Sequence, residues 1–205
     1  MDGKRLVEAS YDRIADQYLA SRERQSGGTL AAIEDLVRAL PPGAAVLDLG
    51  CGAGVPVTRR LAERFAVTGV DISARQLALA RQRVPGATLM QADMTEVDFA
   101  AETFDALVSA YAIIHVPREE QPALVGRIHR WLRPGGLFLA NWAVTAWEGE
   151  ERDWLGWGAP MWWSHHDWDT NLAMLRNAGF AVDTAATHAD GGETWRWVLA
   201  RKSAR

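Results

Sequence analysis

The sequence predicts one α/β domain over residues 1–205, built on a doubly wound, seven-stranded sheet that is mostly parallel and ends in an antiparallel hairpin. Two observations lead to this prediction. Short apolar runs typical of buried strands alternate five times with segments of helical periodicity. Beyond them, two further strand-like runs, 180–185 and 194–200, follow each other across a short loop, which is typical of an antiparallel hairpin.

The first 40 residues are predicted to form a helical N-terminal cap. Apolar residues recur at helical spacing in two stretches, which are separated at Ser26-Gly27-Gly28 and stopped by Pro41-Pro42-Gly43. Tyr11 and Tyr18 share a face of the first helix. This spacing is more often a packed face than a ligand contact, and it leaves Tyr11 open as a candidate.

The first predicted strand passes directly into a glycine-rich loop. The apolar run 46–49 is followed by Gly50-Cys51-Gly52-Ala53-Gly54, and Pro56 suits the first position of the next helix. Glycine allows positive φ and lets a ligand lie against the main chain without meeting a Cβ. Taken alone, such a loop is also an ordinary strand-to-helix connection.

An acidic residue ends the second predicted strand. Asp71 follows the run 66–70 and lies about 20 positions after Gly50. An acid at this distance from a glycine loop accepts hydrogen bonds from ribose hydroxyls, so the sequence predicts a ligand with a ribose. An acid ahead of a helix also interacts favourably with the helix dipole, and the two roles are compatible. Ser73-Ala74-Arg75-Gln76 is a capping box that opens a helix to about Arg83.

The remaining elements complete the alternation. A third strand, 87–92, closes with Asp93-Met94, a fourth covers 104–109, and a helix is predicted at 118–131. The turn 133–136 precedes a fifth strand at 137–140. Residues 141–166 contain six tryptophans without a steady period and predict an irregular insertion, after which Asp167 caps a helix.

Composition excludes several classes of protein. The 22 basic and 26 acidic residues are intermixed, without a basic block that would follow a phosphate backbone, so a nucleic-acid partner is not expected. The one cysteine, Cys51, cannot form an internal disulfide, which suits a reducing compartment. The chain has neither an apolar run of about 20 residues nor the apolar core of a signal peptide, so we expect a cytoplasmic protein without a membrane partner.

Three motifs together resemble those of the class I S-adenosylmethionine-dependent methyltransferases, in particular small bacterial members that act on small molecules. They are the segments 46–54, 69–73 and 132–137. The glycines alternate as G-x-G-x-G, whereas nicotinamide dehydrogenases use G-x-G-x-x-G. The resemblance implies a Rossmann-like fold and S-adenosylmethionine as cofactor, with S-adenosylhomocysteine as product.

The resemblance also implies a role for each matching residue. The glycine loop would lie along the methionine part of the cofactor, with Asp48 arranging the loop and the amino group. Asp71 would hold the ribose and Asp93 the adenine amino group, while Tyr11 would reach the carboxylate. The predicted cofactor-binding residues are Tyr11, Asp48, Gly50, Cys51, Gly52, Gly54, Asp71, Ile72, Asp93, Met94, Ser109, Ala110 and Tyr111.

His115 is the predicted catalytic base, because it follows the fourth strand, where parallel strands place ligands. Methyl transfer needs alignment of the two reactants and needs a base only if the acceptor must lose a proton. A histidine that bonds the backbone of a loop is the alternative interpretation. His165 and His166 are adjacent and have no evident third ligand, so no metal is predicted.

The tryptophan-rich segment 141–166 is predicted to cap the acceptor site, although single tryptophans could instead pack the core or support a dimer. The predicted substrate-binding residues are Tyr18, Asn141, Trp142, Trp162, Trp163, His165 and His166. We expect a monomer or homodimer that methylates an oxygen or nitrogen of a small, apolar or aromatic metabolite, such as one of secondary metabolism. The alternative is a cofactor-binding protein of the same fold that does not transfer methyl.

Overall fold

The computed structural model describes residues 3–24, 27–190 and 193–204. The strands of this part of the chain are β1 (Ala45–Leu49), β2 (Ala66–Asp71), β3 (Thr88–Gln91), β4 (Phe104–Ser109), β5 (Leu132–Ala143), β6 (Trp147–Glu151), β7 (Met161–His165), β8 (Phe180–Asp190) and β9 (Glu193–Lys202). Seven of them form one sheet in the order β3-β2-β1-β4-β5-β9-β8. The first five in this order are parallel neighbours, and β9 runs antiparallel to β5 and β8.

This sheet confirms the predicted fold class, including the antiparallel strands at its C-terminal end. The strand order reverses between β1 and β4, which are neighbours although β2 and β3 lie between them in sequence. In a parallel sheet, the loops diverge at such a point and leave a crevice at the carboxyl ends of the two strands. The fold therefore provides a ligand crevice next to the glycine loop.

Helices cover both faces of the sheet. They are α1 (Gly3–Arg24), α2 (Gly27–Ala39), α3 (Val57–Ala62), α4 (Ala74–Arg83), α5 (Gln121–Trp131) and α6 (Trp168–Asn177). Apolar residues of α2 and α3 pack on one face with Val46, and those of α5 and α6 pack on the other with Leu47. Both residues are fully buried, as expected for a central strand that is covered on both faces. No helix within the described ranges is long and apolar enough to cross a membrane.

Three elements differ from their predicted bounds. The predicted break between the first two helices included Gly27 and Gly28, but both belong to α2, and Ser26 lies outside the described residues. Strand β5 is longer than predicted because its pairing with β9 continues to Ala143. The predicted turn 133–136 is a bulge inside this strand, where the partner of β5 shifts from Phe104 to Ala106.

The tryptophan-rich segment is more regular than predicted. Strands β6 and β7 pair as an antiparallel hairpin, with a short 3-10 helix, Trp154–Gly156, between them. Residues 141–143 belong to the end of β5. Strand β6 is largely exposed, and an exposed strand lacks the alternation of apolar and polar residues by which a half-buried strand is recognised.

Gly69 provides a test of the packing between the glycine loop and the sheet. A Cβ at this position of β2 would lie 2.8 Å from Leu89 Cδ2 and 2.9 Å from Cys51 Sγ. We expect Gly69→Ala to lower the free energy of unfolding by about 1–3 kcal/mol, because the loop and β3 must both shift. Urea denaturation measures this change.

Gly126→Ala is the matched control. Gly126 lies inside α5, and a Cβ there would meet no atom within 4 Å. The same substitution should raise the free energy of unfolding by about 0.4–1 kcal/mol, because alanine restricts the unfolded chain. If the two variants were equally stable, the contact of Cys51 with β2 would not constrain the loop.

Candidate active site

A cavity lies at the carboxyl ends of β1, β2, β3 and β4. Its volume is about 670 Å³, including the open space at its mouth. The glycine loop after β1, the residues after each of the other three strands and one side of α1 form its walls. The cavity therefore occupies the crevice that the strand order predicts.

The glycine loop approaches the cavity with its backbone. Gly50 has a φ of 78°, and a Cβ there would lie 2.2 Å from the Cβ of Ala112. Gly52, with a φ of 53°, has only Gln76 Oε1 within 4 Å of its Cβ position. A ligand can therefore lie directly against the main chain at Gly52. Gly54 instead packs on α4, where Val84 lies 2.9 Å from its Cβ position.

Asp71 connects this loop to the end of β2. Its Oδ2 accepts a hydrogen bond from the backbone N–H of Gly52 at 2.8 Å, and its Oδ1 accepts one from Ser73 at 2.9 Å. Burial raises the pKa of Asp71 to about 6; the two backbone donors oppose this shift, and the nearby charge of Asp12 adds to it. Each carboxylate oxygen has further lone pairs for a ligand hydroxyl.

Asp48 lies below the loop. It is 1% exposed, and its Oδ2 accepts a hydrogen bond from Thr58 Oγ1 at 2.7 Å, while its Oδ1 finds no partner within the described part of the chain. Burial raises the pKa of Asp48 to about 7; the Thr58 hydrogen bond lowers it and the Asp71 charge raises it further. Two buried carboxylates next to the glycine loop favour a ligand that carries positive charge.

The wall beside Asp71 contains the third predicted acid. Ile72, Ala92, Asp93 and Met94 form this wall. Asp93 Oδ2 lies 2.9 Å from the Lys4 ammonium, and its Oδ1 accepts hydrogen bonds from the backbone N–H and the hydroxyl of Thr95. Burial acts to raise the pKa of Asp93, but Lys4 and Thr95 outweigh it and hold the pKa below its usual value. Lys4 also pairs with Glu120 at 2.8 Å, so α1 is attached both to the loop that follows β3 and to the start of α5.

Tyr11 and His115 meet at the cavity. The Tyr11 hydroxyl lies 3.1 Å from His115 Nε2, and His115 Nδ1 lies 2.7 Å from the carbonyl oxygen of Trp162. A carbonyl only accepts, so Nδ1 carries the proton and Nε2 accepts the Tyr11 hydroxyl. The Trp163 ring stacks on the imidazole at 4.5 Å between centroids. Tyr11 was predicted to reach the cofactor carboxylate; in the structure its hydroxyl lies beside His115.

Burial keeps both members of this pair uncharged. It lowers the pKa of His115 to about 4, although the Trp162 carbonyl partly opposes the shift. It also raises the pKa of the Tyr11 hydroxyl well above its usual value, and the Tyr18 and Asp71 charges contribute to the rise. The pair is therefore a neutral hydroxyl that donates to a neutral imidazole.

The other predicted cofactor residues differ in their placement. Ala110 and Tyr111 line the cavity, and the backbone N–H of Tyr111, with a φ of 54°, donates to Asn141 Oδ1 at 2.5 Å. Ser109 donates its hydroxyl to the carbonyl of Leu49 at 3.0 Å, so this side chain connects β4 to β1. Cys51 points away from the main cavity and lies against Gly69 of β2.

Of the predicted substrate-binding residues, Tyr18 lines the cavity. The other six, all within the described ranges, do not: they are Asn141, Trp142, Trp162, Trp163, His165 and His166. Trp142 is 1% exposed in the core, where it packs with α5 and α6. Asn141 supports Tyr111, and the hairpin directs Trp162 and Trp163 toward α1 and His115.

The two adjacent histidines each bond to the backbone of a neighbouring segment. His165 Nδ1 donates to the carbonyl of Thr145 at 2.7 Å, and His166 Nε2 lies 3.4 Å from the carbonyl of Arg118. Within the described residues, no group of three His, Cys, Asp or Glu side chains is placed to hold a metal ion.

A smaller cavity of about 430 Å³ continues from the first. The two share Gly50, Gly52, Tyr18, Ala110 and Tyr111. Arg22 lines the smaller one, with its guanidinium 4.8 Å from the centre of the Tyr111 ring and 2.9 Å from Thr29 Oγ1.

Three residues that line these cavities were not predicted from the sequence as site residues: Lys4, Arg22 and Gln76. Lys4 and Arg22 lie seven residues before Tyr11 and four after Tyr18, so helical spacing already places them on the same side of α1.

Known proteins share this sequence pattern and fold. A methyltransferase domain family model matches residues 46–136. Phosphoethanolamine N-methyltransferase 3 of Arabidopsis thaliana is 31% identical over 157 residues, which are 74% of this chain and 31% of the relative. 2-Phytyl-1,4-naphtoquinone methyltransferase of Thermosynechococcus vestitus is 34% identical over 140 residues, 63% of this chain and 61% of the relative.

The crystal structure of magnesium protoporphyrin IX methyltransferase from Synechocystis PCC 6803 with bound SAH has a TM-score of 0.76 at 17% identity and covers 98% of this chain and 100% of that one. A parallel sheet with a glycine loop and an acid at the next strand end defines an α/β protein that binds a nucleoside cofactor. Residues 46–136 match a methyltransferase domain, and the chain has the fold of the class I S-adenosylmethionine-dependent methyltransferases. It spans about a third of the length of the Arabidopsis thaliana phosphoethanolamine N-methyltransferases that it matches.

The residues present fit S-adenosylmethionine. Gly52 leaves room for a ligand against the backbone, and Asp71 offers acceptors for the ribose hydroxyls. The unpartnered oxygen of Asp48 and the raised pKa values of Asp48 and Asp71 match the positive charges on the sulfur and amino group of the cofactor.

We expect His115 to stay neutral, with its proton on Nδ1, between pH 5 and 8, because burial lowers its pKa to about 4. Long-range ¹H–¹⁵N spectra of the labelled protein distinguish the two nitrogens. Tyr11→Phe is the matched control, since it should shift the Nε2 resonance and leave Nδ1 nearly unchanged. Titration of His115 near the ordinary value of 6.5 would contradict the buried geometry.

Proposed function

We propose that this chain transfers a methyl group from S-adenosylmethionine to an oxygen or nitrogen atom of a small, apolar or aromatic metabolite. The observation that carries the proposal is the Tyr11–His115 hydrogen bond, which places a proton-accepting pair in the same cavity as the glycine loop and Asp71. The match of residues 46–136 to a methyltransferase domain and the similarity to curated methyltransferases support this reaction.

We assign both cavities to the cofactor and its surroundings. Asp71 accepts hydrogen bonds from the ribose, Ile72 packs against the adenine, and Asp93 accepts from the adenine amino group. The backbone at Gly50 and Gly52 lies along the methionine part. Arg22, at the far side of the same loop, is the residue whose guanidinium suits the cofactor carboxylate.

The bound cofactor supplies an activated methyl group on a positively charged sulfur. The protein must therefore hold the acceptor atom in line with that methyl group and accept any proton that the acceptor loses. The Tyr11 oxygen accepts a hydrogen bond from the acceptor while its own proton points to His115 Nε2. The proton can then move in two short steps, from acceptor to Tyr11 and from Tyr11 to His115.

The low pKa of His115 indicates when this proton moves. An imidazole with a pKa of about 4 is too weak a base to ionise an ordinary alcohol or ammonium beforehand. A hydroxyl oxygen that has just gained a methyl group is positively charged and much more acidic than the alcohol was, whereas a methylated ammonium gains no such acidity. We therefore place the loss of the proton during or after methyl transfer. The Trp162 carbonyl supports this step, because it stabilises the imidazolium that forms.

The lining around the pair favours an acceptor without a phosphate. Val7, Tyr18, Met94 and Val116 surround Tyr11 and His115 in the main cavity. Lys4 lines the same cavity, but its ammonium pairs with Asp93 and Glu120. A phosphate ester is normally held by several cationic donors, so we propose an apolar or aromatic acceptor rather than phosphoethanolamine. We further propose a cytoplasmic monomer or homodimer that binds no nucleic acid, in keeping with the single cysteine and mixed charge.

Methyl-labelled S-adenosylmethionine, incubated with the protein and a fractionated metabolite extract, tests the proposal. We expect label to move to a small molecule with the wild-type chain and not with Asp71→Ala. Binding of S-adenosylhomocysteine without transfer to any fraction would instead support the alternative, a cofactor-binding protein that does not methylate.

With the labelled product in hand, Tyr11→Phe and His115→Ala should reduce turnover by roughly 10²-fold. The reason is that each removes one step of the proton path while the glycine loop and Asp71 stay intact. The Kd for S-adenosylhomocysteine, measured by calorimetry, should change much less than turnover. An unchanged rate in either variant would remove this pair from the reaction.

Cofactor affinity should depend on pH through Asp71. Only the ionised carboxylate accepts two charge-assisted hydrogen bonds, and burial raises its pKa to about 6. Affinity for S-adenosylhomocysteine should thus be constant at high pH and fall by up to about tenfold for each pH unit below about 6. Asp71→Asn should bind more weakly at high pH and lose this dependence. If the affinity of Asp71→Asn fell at low pH as that of the wild type does, the pH dependence would belong to another group.

A further inference from the structure

Gln76 is a buried polar residue of the cavity whose side-chain amide has no partner within residues 3–24, 27–190 and 193–204. It is the third residue of α4, its side chain is 1% exposed, and it lines the main cavity. Neither Nε2 nor Oε1 has a hydrogen-bond partner among the residues that the structure describes. A buried amide without partners destabilises the folded protein, so its presence calls for another explanation.

The usual role of a glutamine at this position does not account for it. In a capping box, this side chain accepts a hydrogen bond from the backbone N–H of the capping residue. Here the backbone half is formed, since Ser73 Oγ accepts from the Gln76 N–H at 3.1 Å. The N–H of Ser73, however, donates to Asp71 Oδ1 at 2.9 Å. Asp71 has taken the place of the glutamine, and the Gln76 amide is released toward the cavity.

The amide lies next to the surface that Asp71 presents. Gln76 Oε1 is 3.9 Å from the Cβ position of Gly52, whose N–H donates to Asp71 Oδ2 at 2.8 Å. The two side chains complement each other chemically. An ionised carboxylate only accepts hydrogen bonds, whereas a sugar hydroxyl both donates and accepts. An amide supplies the donor that the carboxylate lacks, together with one more acceptor.

We propose that Gln76 is a ribose-binding residue, which donates from its amide to a ribose hydroxyl oxygen while Asp71 accepts the hydroxyl protons. This inference rests on the cofactor proposed above. It implies that the site distinguishes a ribose from a deoxyribose more strongly than Asp71 alone can. The orientation of the amide is free to adjust, because no side chain or backbone group in the described part of the chain bonds to either of its ends.

If Gln76 binds the ribose, its replacement should not lower the stability of the protein but should lower its affinity for S-adenosylhomocysteine. Gln76→Leu and Gln76→Met keep the approximate volume and remove the unpartnered polar atoms. The protein without ligand should thus have an equal or higher melting temperature, because no hydrogen bond is lost. A structural role predicts the reverse, namely a lower melting temperature and unchanged contacts with the ligand.

The experiment uses the full chain and calorimetric titration with S-adenosylhomocysteine and its 2′-deoxy and 3′-deoxy analogues. Gln76→Leu and Gln76→Met should bind S-adenosylhomocysteine about tenfold more weakly than the wild type. The preference of the wild type for the ribose form over at least one deoxy analogue should shrink by a similar factor. Gln82 is an exposed glutamine on the same helix, so Gln82→Leu is the control. It should leave the affinity and the preference for the ribose form unchanged.

Each other outcome overturns the inference in a recognisable way. Unchanged affinity and unchanged preference in both Gln76 variants would exclude a ribose contact, while methyl transfer by the wild type would leave the proposed function intact. Lower melting temperatures in both variants would assign Gln76 a structural role. A wild-type chain that fails to bind S-adenosylhomocysteine would overturn this inference and the proposed function together.

Discussion

The hydrogen bond from the Gly52 N–H to the Asp71 carboxylate joins the two parts of the candidate site. It ties the glycine loop after β1 to the end of β2, and the other oxygen of Asp71 holds the start of α4 through Ser73. One carboxylate thus positions a loop and a helix. Its negative charge also raises the pKa of Asp48, so the site is electrostatically suited to a cation. Fold and ligand preference depend on the same contact.

The site is assembled from two sources that are distant in sequence. The sheet provides the backbone cradle and the acids at its strand ends, whereas α1 provides the side chains that cover them. Tyr11 of α1 reaches His115, which follows β4, and Lys4 of α1 reaches Asp93, which follows β3. The hairpin of β6 and β7 does not itself line the cavity; it holds the imidazole through the Trp162 carbonyl and the Trp163 ring. The tryptophan-rich segment therefore supports Tyr11 and His115 from behind.

The parts of the fold around the candidate site that were predicted correctly depend on local backbone chemistry. The glycine loop, Asp71 at a strand end and the alternation of strands and helices each follow from a few neighbouring residues. The side chains that lie away from the cavity depend on distant partners. Trp142 looked like an acceptor contact because it follows a strand end, but β5 continues through it by pairing with β9. Gln76 was predicted only as a helix cap, since its released amide depends on the hydrogen bond from Ser73 to Asp71. Burial and register of this kind are not encoded in short patterns.

Helix α1 carries its functional side chains in one stripe, in which Lys4, Tyr11, Tyr18 and Arg22 are separated by seven, seven and four residues. An α-helix turns by about 100° per residue, so this spacing keeps all four on the same side. Substitutions on the outer face of α1 leave that alignment untouched. Insertion or deletion of a single residue between Tyr11 and Tyr18 would rotate one half of the stripe away from the cavity. The alignment of α1 with the cavity therefore depends on the number of residues between Lys4 and Arg22.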